Sequence, residues 1–146
     1  MTNPTTESTQ YDAVIVTGDR YALWPDWRDV VEHAVNQYVE SAASVLHGAA
    51  RGIDTLVADY FRRTRPYVSI QGFPADWNAH GRAAGPIRNQ EMLDVLLDLS
   101  QTGARIAVLA FHNDLAGSKG TKHMVGIARK AGVPVHVFTR KGEVKP

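Results

Sequence analysis

Apolar residues along this chain switch repeatedly between a continuous run and a helical spacing, and the switches divide it into strands and helices. Ala13 to Thr17 is an apolar, β-branched run that stops at Gly18-Asp19-Arg20, the pattern of a strand buried on both faces with a polar turn at its end. Trp24-Pro25-Asp26 then offers a helix start, and Trp27, Val30, Val31, Ala34, Val35, Tyr38, Val39 and Ala42 hold the i, i+3, i+4, i+7 spacing of one helix face. Ser44 to His47 reads as a second strand. After Gly48-Ala49-Ala50-Arg51-Gly52 the apolar residues fall at Ile53, Leu56, Val57, Tyr60 and Phe61, a helix running to about Thr64.

Tyr67 to Phe73 predicts a third strand, followed by a stretch from Pro74 to Pro86 with no clear period, long for a simple connection and rich in Trp, Asp, His and Arg. Pro86 suits the first turn of a helix carrying Met92, Val95, Leu96 and Leu99 inward, and Ile106 to Phe111 is an all-apolar, central strand. A polar loop, His112 to Thr121, leads to a helix with Met124, Val125, Ala128 and Ala131 on its buried side, which Gly132 and Pro134 stop. Val133 to Phe138 is the last predicted strand. Five strands alternating with four helices predict an α/β fold: a Rossmann-like, doubly wound, mostly parallel five-stranded sheet with helices on both faces. Residues 11–139 form the single domain, between a disordered lead at 1–10 and a polar tail at 140–146.

This topology locates a site before any motif does, because ligands of such sheets bind at the carboxyl edge where strand order reverses. Two glycine corners open helices there. Gly48 to Gly52 lacks the G-x-G-x-x-G spacing of a dinucleotide fingerprint, and reads either as a tight turn or, with Arg51 beside free N–H groups, as an anion site. Asp54 is either a helix-dipole partner or a ligand group. Gly117-Ser118-Lys119-Gly120-Thr121 lacks the Walker A order and reads as a backbone cradle for phosphate or as a capped turn. Arg88 and Asn89 open a further helix, where a cation opposes the helix dipole; either a salt bridge to Asp76 or Glu91, or a ligand anion, accounts for the arginine. Asp76, Trp77 and His80 are candidates for base stacking or acid/base work, with Trp77 as a packing lid the alternative reading.

Composition removes several classes. With no Cys there is no disulfide framework or thiolate chemistry, and six His without paired helical spacing make no metal site. Sixteen Lys plus Arg against fifteen Asp plus Glu leave a net charge of +1, so nothing global points to nucleic acid. No apolar run is long enough to span a membrane and the first ten residues carry no export signal, so a cytoplasmic protein is expected.

Taken in order, Val16-Thr17-Gly18-Asp19-Arg20, His47-Gly48-Ala49-Ala50-Arg51-Gly52-Ile53-Asp54, Phe73-Pro74-Ala75-Asp76-Trp77, Gly81 to Met92, and Gly117 with Gly120-Thr121 resemble the SLOG superfamily of Rossmann-like nucleotide-binding domains, within it the YspA-like group. The resemblance implies binding of a nucleotide or nucleotide-derived ligand, in sensing or processing, including in bacterial and phage conflict, with no firmly implied cofactor and with a homodimer as partner arrangement. It places ligand contacts at Gly18, Arg20, Gly48, Arg51, Gly52, Asp54, Trp77, Arg88, Asn89, Gly117, Ser118, Gly120 and Thr121. The LOG branch of phosphoribohydrolases implies an alternative, N-glycosidic hydrolysis. The position of its catalytic Glu is Met124 here, so Asp54 or Asp76, with Arg88, would have to supply the chemistry. The DprA branch, with a similar Gly-x-Ala-Arg-Gly-Ile-Asp corner, implies a third, single-stranded DNA binding.

Overall fold

A computed structural model describes residues 9–145 of the chain; the first eight residues of the expected lead lie outside them. The strands are β1 (Tyr11–Gly18), β2 (Val39–His47), β3 (Ser69–Gly72), β4 (Ile106–Phe111), β5 (Val135–Thr139) and β6 (Gly142–Glu143). The helices are α1 (Trp24–Tyr38), α2 (Ile53–Thr64), the short α3 (Trp77–His80), α4 (Ala84–Gln101) and α5 (Gly120–Lys130). They build one sheet of order β3-β2-β1-β4-β5-β6, parallel except for the β5–β6 pair. The expected α/β, Rossmann-like class holds, with six strands in place of five.

Alternation along the central strands explains why both faces need helices. Val14 and Val16 of β1 point to one side and pack with Trp27, Val31 and Val35 of α1 and Ile53, Val57 and Phe61 of α2. Ala13 and Ile15 point to the other and meet Met92, Leu93 and Leu96 of α4 and Met124 and Ala128 of α5. The chain leaves β1 toward β2 and β3 on the first face, then crosses through α4 to reach β4. Strand order therefore reverses between β1 and β4, whose ends are level through the Gly18–Phe111 pair.

Several boundaries differ from the periodic reading. The spacing through Ala42 predicts a longer α1, but Val39 is already extended and pairs with Tyr11, so Val39 and Ala43 are buried as strand residues and Ala42 is exposed. Pairing along β1 outweighs the helical spacing. β3 is a short, partly exposed edge strand, and the stretch after it holds α3 and the start of α4 two residues before Pro86. Ala131 is exposed, because α5 ends one residue earlier. The polar tail turns back as β6. Glu143 accepts from the Tyr38 hydroxyl at 2.5 Å and lies 2.9 Å from His136 Nδ1, so a two-residue strand is held by side chains that are distant in sequence.

Candidate functional site

The ends of β1, β2 and β4 and the starts of α4 and α5 enclose a cleft of about 270 Å³ at the point of strand reversal. A second hollow of about 310 Å³ continues toward the β3 side and is lined by Pro74, Ala75, Trp77 and Arg51. Gly48, Ala50, Arg20 and Arg88 border both.

The two glycine corners differ in what remains free. At the α2 corner the Asp54 side chain turns back: Oδ2 accepts from Gly48 N–H at 3.0 Å and Ala50 N–H at 3.3 Å, while Ala49 N–H goes to His47 Nδ1. Ile53 N–H, the first of α2, goes to the Asp19 carbonyl at 2.9 Å. A carboxylate of the protein therefore occupies the nest that the sequence offers to a ligand anion. Gly52 borders neither part of the cleft, so its expected contact is corrected to a structural one.

The α5 corner is open. Gly120 and Thr121 N–H groups take no acceptor among the described residues, as expected of a first helical turn without a cap on them. Ser118 Oγ donates to the Leu115 carbonyl at 2.9 Å and accepts from Lys122 N–H at 3.0 Å, so it shapes the turn. Gly117 lies outside the lining, with its N–H 3.1 Å from Asp114 Oδ1. Lys119 borders the cleft and makes no ion pair among the described residues.

Arg88 pairs with neither Asp76 nor Glu91. Its Nη1 donates to the Gly48 and Phe73 carbonyls, the latter at 3.3 Å, and its Nε donates to Asn89 Oδ1 at 2.9 Å, so the guanidinium ties the ends of β2 and β3 to α4. A Cβ on Gly48 would crowd the Arg88 guanidinium and the Asp54 carboxylate, so any larger residue here must displace them. Asn89, buried, carries the tie onward through Nδ2, 3.3 Å from the Gly120 carbonyl and 3.1 Å from His123 Nδ1. Asn89→Leu should destabilise the fold by about 2 kcal/mol by removing three part-buried hydrogen bonds. A urea unfolding midpoint equal to that of the parent would show that these bonds contribute nothing.

Asp54 is the one acid sealed into this arrangement, 6% exposed, with Oδ1 unpartnered among the described residues and bordering the cleft. Burial pushes its carboxyl up to about 6, against the pull of the Ala50 and Gly48 N–H groups and of the Arg88 and Arg20 charges. Burial likewise lowers Arg88, with Asp54 holding it up in part. Burial lowers the His47 imidazole too; since Nδ1 accepts from Ala49, the neutral ring carries its proton on Nε2, which has no partner.

Of the expected contacts, Gly18, Arg20, Gly48, Asp54, Arg88, Asn89, Ser118, Gly120 and Thr121 meet in the main cleft, and Arg51 and Trp77 in its extension. Asp76 borders neither; its Oδ1 caps α3 by accepting from Ala79 N–H at 3.0 Å. That placement withdraws it as a catalytic candidate. Met124 is fully buried in the core. Tyr21, Thr17, His112 and Lys119 of the second glycine corner join the lining without having been among the expected contacts. For Thr17 and Tyr21 the available signal was their place at the end of the first strand. No group of three or more His, Asp or Glu is placed to hold a metal among the described residues, and no helix is long and apolar enough to cross a membrane.

No protein-family model matches the chain. It is similar to the "Gene 61 protein" of Mycobacterium phage D29, with 35% identity over 133 residues, covering 88% of this chain and 97% of that protein. Identity of that size sustained over nearly all of both chains marks common descent, and the chain belongs to the family of the phage D29 Gene 61 protein.

Proposed function

We propose that the protein binds a nucleotide or nucleotide-derived ligand at the carboxyl edge of its sheet, as the SLOG resemblance implies. The observation that carries this reading is the open first turn of α5 at the strand reversal, where Gly120 and Thr121, whose N–H groups have no acceptor among the described residues, line a cleft bordered by Lys119, Arg20 and Arg88. A helix N-terminus with neighbouring cations favours phosphate, and the cleft is where α/β sheets of this kind take ligands. Trp77, 54% exposed beside the extension, offers a ring face to a base.

Thermal unfolding against nucleoside mono-, di- and triphosphates, NAD, ADP-ribose and cyclic nucleotides tests the reading. A ligand at 100 times its Kd should stabilise the fold by about 2.7 kcal/mol and raise the midpoint by several degrees. Arg88→Ala should weaken that ligand by at least about tenfold, through loss of its charge and release of the Gly48 carbonyl. Protein free of co-purified nucleotide that responds to none of the panel would overturn the proposal.

A second reading, cleavage of the ligand's N-glycosidic bond, is favoured by one observation. Asp54 lines the cleft and has one carboxylate oxygen without a partner among the described residues, the kind of group that stabilises a ribosyl cation. Release of free base from a bound nucleotide, abolished in Asp54→Asn, is its expected signature. Turnover unchanged in that variant would remove Asp54 from the chemistry.

A further inference from the structure

The cleft has two adjoining parts, and its polar groups are distributed over both. The extension is lined by residues that follow β3, and the α5 corner follows β4, three places along in the sheet. Each part alone, at about 270 and 310 Å³, sits at the lower limit of ligand pockets, about 300 Å³. Arg20, which makes no ion pair or hydrogen bond among the described residues, and Arg88 stand where the two parts join.

The α5 end has a second feature besides its amides. Thr121 is 5% exposed and Thr17 is 9% exposed, both border the cleft, and neither hydroxyl has a partner among the described residues. Among the described residues neither hydroxyl is shut off from partner and solvent alike, as His47 Nε2 at the end of β2 is, so both are reached from the cleft that they border. Buried hydroxyls left unmatched in a fold imply an external acceptor or donor.

Resting on the nucleotide reading above, we infer that the ligand carries a pyrophosphate or longer phosphate chain laid along the sheet edge. Its base stacks on Trp77, its first phosphate lies between Arg20 and Arg88, and its outer phosphate meets Gly120 and Thr121 N–H, the Thr121 hydroxyl and Lys119. With a base at Trp77 and one phosphate at Arg20 and Arg88, which border both parts, the α5 groups of the main part are left over. The α5 end then requires a further anion. A nucleoside diphosphate and a pyrophosphate-bridged dinucleotide share this chemistry.

Calorimetric titration of nucleotide-free protein with the mono- and diphosphates of the four ribonucleosides, and with NAD and ADP-ribose, tests the assignment. The diphosphate of the preferred base, or the dinucleotide, should bind at least tenfold more tightly than the monophosphate. Lys119 is exposed, so Lys119→Ala should fold normally and remove most of that advantage. Trp77→Ala should weaken all of them alike. Tight binding of the diphosphate alone assigns a free outer phosphate, whereas equal or tighter binding of NAD or ADP-ribose assigns a bridging one. Equal affinity for mono- and diphosphate, or a Lys119→Ala variant that keeps the difference, would overturn the extended ligand while leaving nucleotide binding intact. No binding by any of them would overturn both.

Discussion

Gly52→Ala is expected to destabilise the protein by about 4 kcal/mol, the largest effect of any single methyl addition near the cleft. Gly52 adopts φ +77° and ψ −133°, a conformation open in practice to glycine alone. A Cβ there would lie 2.2 Å from the Asp19 carbonyl oxygen and 2.5 Å from the Arg20 carbonyl carbon, both backbone atoms that no rotamer change can move aside. The same carbonyl accepts the first N–H of α2, so relieving the clash breaks the bond that seats α2 against the β1 turn. Strain of about 1–3 kcal/mol and a similar overpacking penalty add up to the expected loss. Urea unfolding should show it as a lower midpoint at unchanged m, and heating as a fall of the order of 10 °C. A variant within about 1 kcal/mol of the parent would mean that the β1 and β2 loops are not in contact as described.

The second large effect is a dependence on pH that runs opposite to ordinary acid denaturation. The Asp54 carboxyl is raised by burial from 3.8 to about 6 in the folded protein. Between those values the folded state retains a proton that the unfolded chain has released, so raising the pH through this window lowers stability. The full difference is about 3 kcal/mol, present above pH 6 and absent below pH 4. Other carboxylates act in the reverse sense: Glu143 is held low by Tyr38 and His136 despite its burial, which favours the fold at higher pH. The contribution of Asp54 is therefore isolated by difference. Asp54→Asn keeps an oxygen to accept from Gly48 and Ala50 but carries no charge. The unfolding free energy of the parent minus that of the variant should fall by about 3 kcal/mol between pH 4 and pH 7. A difference that stays constant would show that the carboxylate is ionised at little cost in its site.

The β1, β2 and β4 runs, the faces of α2 and α5, and the location of the cleft were legible in residue spacing. Arg88 shows where that legibility ended. Its position in a first helical turn marked it as unexplained, yet its partners are the Gly48 and Phe73 carbonyls, residues that nothing but folding brings beside it. Asp76 and Asp54 looked alike as candidate acids. One caps a short helix in an exposed segment and the other is sealed under a loop, and burial of a carboxylate is a property of its neighbours.

By itself the sequence determined the sheet, its two covered faces and the edge at which loops gather, because periods of 2 and 3.6 and the placing of Gly and Pro are local properties of the chain. It did not determine which glycine corner is free to bind. Both open helices and both carry glycine, polar residues and a cation. The tertiary structure closes the α2 corner, with the Asp54 carboxylate folded into the nest and the Asp19 carbonyl arriving from another loop, and leaves the Gly120 and Thr121 N–H groups without an acceptor among the described residues. A backbone N–H is bound or free according to what packing delivers within about 3 Å of it, and that information lies in no single stretch of sequence.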